Sequence, residues 1–247
     1  NGRLISITSA QIGDTTSAAL GTIVATDDES ITVATANGAV MLSGLQNLDG
    51  TAVSPSEFSV NQQLSNLDAA TIADLTALND KIVRQEGYWL RRLSQMRAVE
   101  LPYADHSSTT IGQAYATVTM PLPAGVSGEA QAITAAFAAY LARLSGSDNF
   151  DIALSLPALA AEVGDFAHYF ATQVPFQVNT DSSATIADTL TALAADLDAL
   201  QSKRKTFNRD LFLRQPELEA LRAKLDGTLL PVLVQSADSA ADFTPLA

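Results

Sequence analysis

The sequence predicts an α/β (α+β) protein in two parts: a small β module at the N-terminus and a larger body of helices alternating with strands. Three observations carry this. Residues 3–9, 21–26, 30–36 and 39–46 are short β-rich runs separated by Gly, Asp and Ser. Asn37-Gly38 lies between two apolar runs, a strong short-range sign of a hairpin with a type I′ turn. After residue 66 the apolar residues recur at three- and four-residue steps instead of two.

Taken in order, "VATDDESITVAT" reads as strand, acidic turn, strand. "SPSEF" follows the last strand of the module. There Ser54 is a candidate N-cap, Pro55 suits the first helical position, and Glu57 completes a capping box. Ile72, Leu75, Leu78, Ile82, Trp89, Leu93 and Met96 mark one amphipathic helix over 71–97, with a bend at Gly87 and a stop at Pro102. "QAYATVTMPLP" alternates like a strand. "GEAQAITAAFAAYLARLSG" is a helix with Ile133, Phe137, Tyr140, Leu141 and Leu144 on one side, stopped by Gly146. "FDIALSL", "VPFQVN" and "LLPVLVQSA" read as strands. Ser183 or Asp181 caps a helix whose apolar stripe is Ile186, Leu190, Leu193, Leu197 and Leu200. The expected division is 1–66 and 67–247, with "SNLDAA" as the spacer.

Composition narrows the function. With 247 residues, 47% of them hydrophobic, the chain can bury a sizeable core. The net charge of −13 repels phosphate backbones and anionic membranes, so neither nucleic acid nor a membrane is an expected partner. The absence of cysteine removes disulfides, thiolate nucleophiles and Cys-type zinc sites, and fits a reducing, cytoplasmic setting. A chain starting at Asn1 suggests a piece cut from a longer polypeptide.

Candidate chemistry is sparse. His106 follows "LPYAD" and reads as a loop histidine. His168, in "DFAHYF", reads as a packing residue among aromatics. Neither has a partner at metal-ligand spacing, and no G-x-S-x-G or Gly-rich phosphate loop occurs. Asp27, Asp28 and Glu29 could hold a cation, though a solvated hairpin turn accounts for them better. Bases bunch at Arg84, Arg91, Arg92 and Arg97, and again at Lys203, Arg204, Lys205 and Arg209. Helix ends favour cations, which weakens a phosphate-binding reading of both bunches. The second bunch is nevertheless the candidate interface with an acidic partner domain. No catalytic, metal or cofactor site is assigned.

Two resemblances add to this. "GTIVATDDESITVATANGAVMLSGLQNLDGTAVSPSEF" resembles the C-terminal β-barrel of the methionyl-tRNA formyltransferase family through Gly21, Thr22, Asn37, Gly38, Leu45, Gln46, Ser54, Glu57 and Phe58. The resemblance implies a small barrel. The family's formyl-transfer chemistry lies in a separate upstream domain. Its tRNA-binding bases are missing here, where Arg3 stands alone against Asp14, Asp27, Asp28, Glu29, Asp49 and Glu57.

The remainder is similar to a truncated condensation domain of nonribosomal peptide synthetases. The segments that carry this are "EGYWLRRLSQMRAVELPYA", "AITAAFAAYLARLSGSDNFDIALSLP", "HYFATQVPFQVNTDSSATIADTLTALAADL" and "RKTFNRDLFLRQPEL". Tyr169, Phe170, Thr172, Pro175 and Val178 match the family's strand, while Ala171 and Gln177 depart from it. The family's catalytic H-H-x-x-x-D-G motif is absent, and "PALAAEVG" stands where a Gly-Arg is usual. The resemblance implies a chloramphenicol-acetyltransferase-like half-domain, a sheet covered by helices, holding the C-terminal lobe alone.

A formyltransferase tail followed by a condensation remnant implies the initiation module of a synthetase. This region would then be a noncatalytic linker between a formyltransferase and a downstream adenylation domain. Its partners would be the neighbouring formyltransferase core, adenylation domain and carrier protein. The alternatives are a divergent condensation-type acyltransferase that needs a partner lobe, or a carrier-protein binding module.

Overall fold

The computed structural model describes residues 4–102, 118, 121, 128–155, 161–203, 205–224 and 229–236. The chain forms two compact units. The first comprises Asn1–Ser94, Val163–Ala171 and Thr206–Gly227, and the second Gln95–Glu162, Thr172–Lys205 and Thr228–Ala247.

In the first unit, β1 (Ser6–Ile12), β2 (Ile23–Thr26), β3 (Ser30–Thr35) and β4 (Gly38–Gln46) make an antiparallel sheet in the order β1-β4-β3-β2. The β-branched and apolar residues that favour strands also supply its core. Ile23, Ile31, Val33, Leu45 and Val53 are buried together, with Ile5, Val40, Leu42, Phe58 and Leu64 packed against them. Every member of that cluster precedes residue 66.

The hairpin at Asn37-Gly38 is present, with Thr35 paired to Gly38. Its turn is not type I′. Neither Ala36 nor Asn37 has a positive φ, and the positive φ of 121° falls on Gly38. The glycine is used one position after the two-residue loop, where it starts β4. Among the described residues the outer strands of this sheet are β1 and β2, no closed barrel is shown, and the segment after the 3₁₀ turn pairs with β2. Ile23 N donates to Gln62 O at 2.9 Å, and Leu64 N donates to Gly21 O at 2.9 Å.

The expected short helix at "SPSEF" is a single 3₁₀ turn, Pro55–Glu57, with both arms of the Ser54–Glu57 capping box formed. The expected long helix is broken in two. α1 (Ala69–Ile82) is capped by Asp68, and α2 (Glu86–Ser94) follows after a 3₁₀ turn at Val83–Gln85. The break therefore precedes Gly87, which lies in the first turn of α2.

Trp89 is fully buried, 5.1 Å from the ring of Phe207, which in turn lies 5.8 Å from Phe212. Distant segments meet there. Ala171 N donates to Phe207 O at 2.9 Å, Arg209 N to Tyr169 O at 3.0 Å, and buried Thr206 Oγ1 to Ala171 O at 2.6 Å.

The second unit holds α3 (Ala130–Ser145), β5 (Asn149–Ser155), β6 (Val174–Asn179), α4 (Ile186–Lys203) and β7 (Leu233–Gln235). Its sheet is mixed, in the order β6-β5-β7, with β6 antiparallel and β7 parallel to β5. Phe150 to Leu154 are all buried, as a central strand requires. Pro175 sits on the outer strand β6, where a missing donor is tolerated. α3 and α4 pack on each other and each touches β6. α3 ends at Gly146, whose φ of 68° is left-handed and whose N–H donates to Ala142 O. Helix α4 is capped by Thr185, which accepts from Asp188 N at 3.2 Å, and not by Asp181 or Ser183 as expected. Those two residues form the turn before it.

The expected strand "QAYATVTMPLP" lies largely outside the described residues, and the short helix α5 (Leu211–Arg214) belongs to the first unit. No helix among the described residues is long and apolar enough to cross a membrane.

Candidate functional site

Of the five large residues the sequence sets on one side of α3, the structure buries Leu141 and leaves the other four partly exposed. Ala135, Ala138, Leu141 and Ala142 are buried, whereas Ile133, Phe137, Tyr140 and Leu144 are 38%, 39%, 58% and 39% exposed. Small residues let α3 approach its neighbours closely, and the bulky ones are left on the outer side.

α4 buries most of the stripe that the sequence marks. Leu193, Leu197 and Leu200 are buried, Leu190 is half-buried, and Ile186 is 55% exposed. The two helices run antiparallel. Gln131 Nε2 donates to Gln201 Oε1 at 3.0 Å, which joins the start of α3 to the end of α4. At the other end the helices part around a groove of about 570 Å³, lined by Ala136, Ala139 and Tyr140 of α3 and by Ile186 and Leu190 of α4. Arg143, Asp148 and Asp181 line it as well. Asp181 is held below the usual carboxylate range by hydrogen bonds from the Ser183 hydroxyl and backbone N–H. It therefore stays charged at neutral pH.

The predicted basic residues divide between the two units. Lys203 is exposed in the last turn of α4, where a cation complements the helix carbonyls. Lys205 Nζ lies 2.9 Å from Glu162 Oε2, with both side chains about a third exposed, a pair worth about 0.2–1 kcal/mol. Arg209 belongs to the first unit, where Nη1 donates to His168 O at 3.4 Å. Arg204 lies outside the described residues. The earlier bunch is dispersed too. Arg92 is buried, and desolvation pushes its pKa down, while Arg84, Arg91 and Arg97 are exposed.

His168 is half-buried with its ring 4.3 Å from that of Tyr169, in keeping with a packing role, and His106 lies outside the described residues. Asp27 accepts from Glu29 N, Ser30 N and Ser30 Oγ at 2.7–2.8 Å. These bonds close the hairpin turn and lower the Asp27 pKa, chiefly through the Glu29 N–H. Among the described residues no group of three or more His, Asp or Glu is placed to hold a metal ion.

Two polar features and one groove escaped the sequence reading. Asp151, buried in β5, accepts from Arg97 N at 2.7 Å and returns its own N–H to Arg97 O at 2.6 Å. It fixes the segment after α2 to the edge of β5. Arg214 forks onto both Glu86 oxygens at 2.9 and 3.1 Å and onto Asp210, and the Glu86 bonds raise its pKa. Beside it, a groove of about 580 Å³ is lined by Ile5, Leu48, Leu75, Phe170 and Leu213. Apart from the i,i+4 pair of Asp210 and Arg214, these bring together residues far apart in the chain, which no local motif could flag.

Residues 1–63 match the family model described as "Formyl transferase, C-terminal domain". The chain therefore contains a formyltransferase C-terminal domain, which includes the whole first sheet and ends where Gln63 bridges back to Thr22. No curated protein and no solved structure matches the chain.

Proposed function

We propose that this chain is a noncatalytic structural and linker region of a nonribosomal peptide synthetase initiation module. In this reading residues 1–66 form the C-terminal barrel of a formyltransferase, and 67–247 form the C-terminal lobe of a condensation-like domain. The observation that carries it is the match of residues 1–63 to a formyltransferase C-terminal domain. An α/β body without an H-H motif follows directly. In a module that starts a peptide, a condensation site has no upstream donor. A lobe without its histidine can then serve as a cytoplasmic platform that spaces the formyltransferase from an adenylation domain. Lys203, Arg204, Lys205 and Arg209 would face the neighbouring domain or an acidic carrier protein.

The test uses the longer polypeptide, carrying the flanking domains this reading requires. His106→Ala and His168→Ala are expected to leave formylated product output nearly unchanged. Removing a general acid–base costs about 100-fold or more, so a loss of that size from a folded variant would favour a divergent acyltransferase. Reversing the charges of Lys203, Arg204 and Lys205 together is expected to weaken domain docking in a salt-dependent way. Unchanged docking across salt would remove the cluster from the interface.

A further inference from the structure

We infer that the groove in the first unit binds a neutral small molecule that carries an amide on an apolar body. The inference rests on the first unit alone and does not require the synthetase reading.

The groove, about 580 Å³, has the size of a small-ligand site. Ile5 and Leu48 reach it from the residues matched to the formyltransferase domain, and Leu75, Phe170 and Leu213 from the chain that follows. These five side chains favour an apolar body. Two asparagines supply the polar part. Asn79 of α1 and Asn208 both line the groove, and Asn208 Nδ2 donates to Asn79 Oδ1 at 2.8 Å. Asn208 Oδ1 is buried and has no hydrogen-bond partner among the described residues. A buried acceptor without a donor is costly, and on a residue that lines a cavity it points to a donor brought by a ligand. Asn79 still has its own Nδ2 to donate. The pair thus offers an acceptor and a donor close together. An amide answers both, since it carries an N–H beside a C=O. The χ2 torsion of asparagine is broad, so the Asn208 oxygen can turn to meet such a group.

Charge sets the ligand's own charge at zero. Arg214 and Asp210 line the groove with opposite signs. Arg214 gives Nε and Nη2 to Asp210, and Nη1 and Nη2 to Glu86. An anion finds no spare base there, and a cation meets carboxylates already engaged by the guanidinium.

The test is a nitrogen–proton NMR titration of the full chain. The probes are N-isopentylbutanamide and its ester counterpart, isopentyl butanoate, which has the same shape and no N–H. A groove that merely collects apolar molecules would take the ester at least as well, because an ester is easier to dehydrate. The amide is expected to bind at least about tenfold more tightly than the ester. Isopentylammonium and 4-methylpentanoate, with similar apolar bodies, should also bind at least about tenfold more weakly than the amide. The shifts should fall on residues 75–79 and 208–214, including the side-chain amides of Asn79 and Asn208. Asn208→Ala should erase the advantage of the amide over the ester. If that variant fails to fold, Thr76→Trp, at an exposed lining residue, should block both compounds. Val60→Ser, at a residue 48% exposed and away from the groove, should change nothing. An ester or an ion that binds as well as the amide would overturn the proposal. So would no binding of the amide up to its solubility limit, shifts confined to other residues, or indifference to the groove variants.

Discussion

Ala138→Leu should destabilise the second unit more than Tyr140→Ala does. Hydrophobicity alone says the reverse. Full burial of a large apolar side chain is worth about 1.5–3 kcal/mol. Tyr140 keeps 58% of its surface exposed, so truncation forfeits the remaining share, about 1 kcal/mol. Ala138 is fully buried on the face that α3 turns toward α4 and β6. Added carbons there must push the helix outward, at about 1–3 kcal/mol. If the bulky face were the buried one, Tyr140→Ala would cost about 3–5 kcal/mol and Ala138→Leu almost nothing. Urea unfolding followed by far-UV circular dichroism gives the two values, provided the slope m is unchanged. Hydrogen exchange along β5 and β6 assigns the loss to the second unit. A truncation of Tyr140 that costs about 3 kcal/mol, beside a neutral Ala138→Leu, would refute the packing described for α3 and remove the groove with it.

Phe207→Ala should cost about 3–5 kcal/mol. It should also shift Trp89 emission to the red, because its ring lies 5.1 Å from the indole of the only tryptophan. Thr185→Ala removes the acceptor for Asp188 N and should cost about 0.5–2 kcal/mol, with faster hydrogen exchange confined to the first turn of α4. Asp27, Asp68 and Asp181 are all held below their ordinary pKa by hydrogen bonds, led by Glu29 N–H, Thr71 N–H and the Ser183 hydroxyl respectively. A depressed carboxylate stabilises the fold above its unfolded value and loses that contribution as pH falls through its folded value. Thermal stability should therefore fall more steeply below about pH 4 in the parent than in a triple Asp→Asn variant. Parallel curves for the two would count against these bonds.

Local chemistry was legible wherever a few adjacent residues decide the outcome. The Ser54–Glu57 capping box, the Gly146 stop and the continuous apolar run of β5 each need only their neighbours in sequence. The hairpin was legible and its turn was not, because Asn-Gly can place the glycine inside the loop or one step beyond it. Gly38 took the second position by pairing with Thr35. The barrel expectation came from a resemblance to a closed module. Closure depends on which strand edge the following segment meets, and residues 61–64 meet β2.

The partly exposed side of α3 shows where apolar periodicity loses its meaning. In "AITAAFAAYLARL" two stripes run along the helix, one bulky and one of alanine, and either can be buried. Hydrophobic transfer favours burying the bulky stripe by about 1.5–3 kcal/mol per side chain. Packing favours the alanine stripe where a neighbouring helix and a strand both come close, since no room is left for a larger side chain. The second force prevails where α3 meets both α4 and β6. Ile133, Phe137 and Leu144 keep only 38%, 39% and 39% of their surface exposed, so the helix forgoes a minor share of the transfer energy there and a larger one at Tyr140, which is 58% exposed.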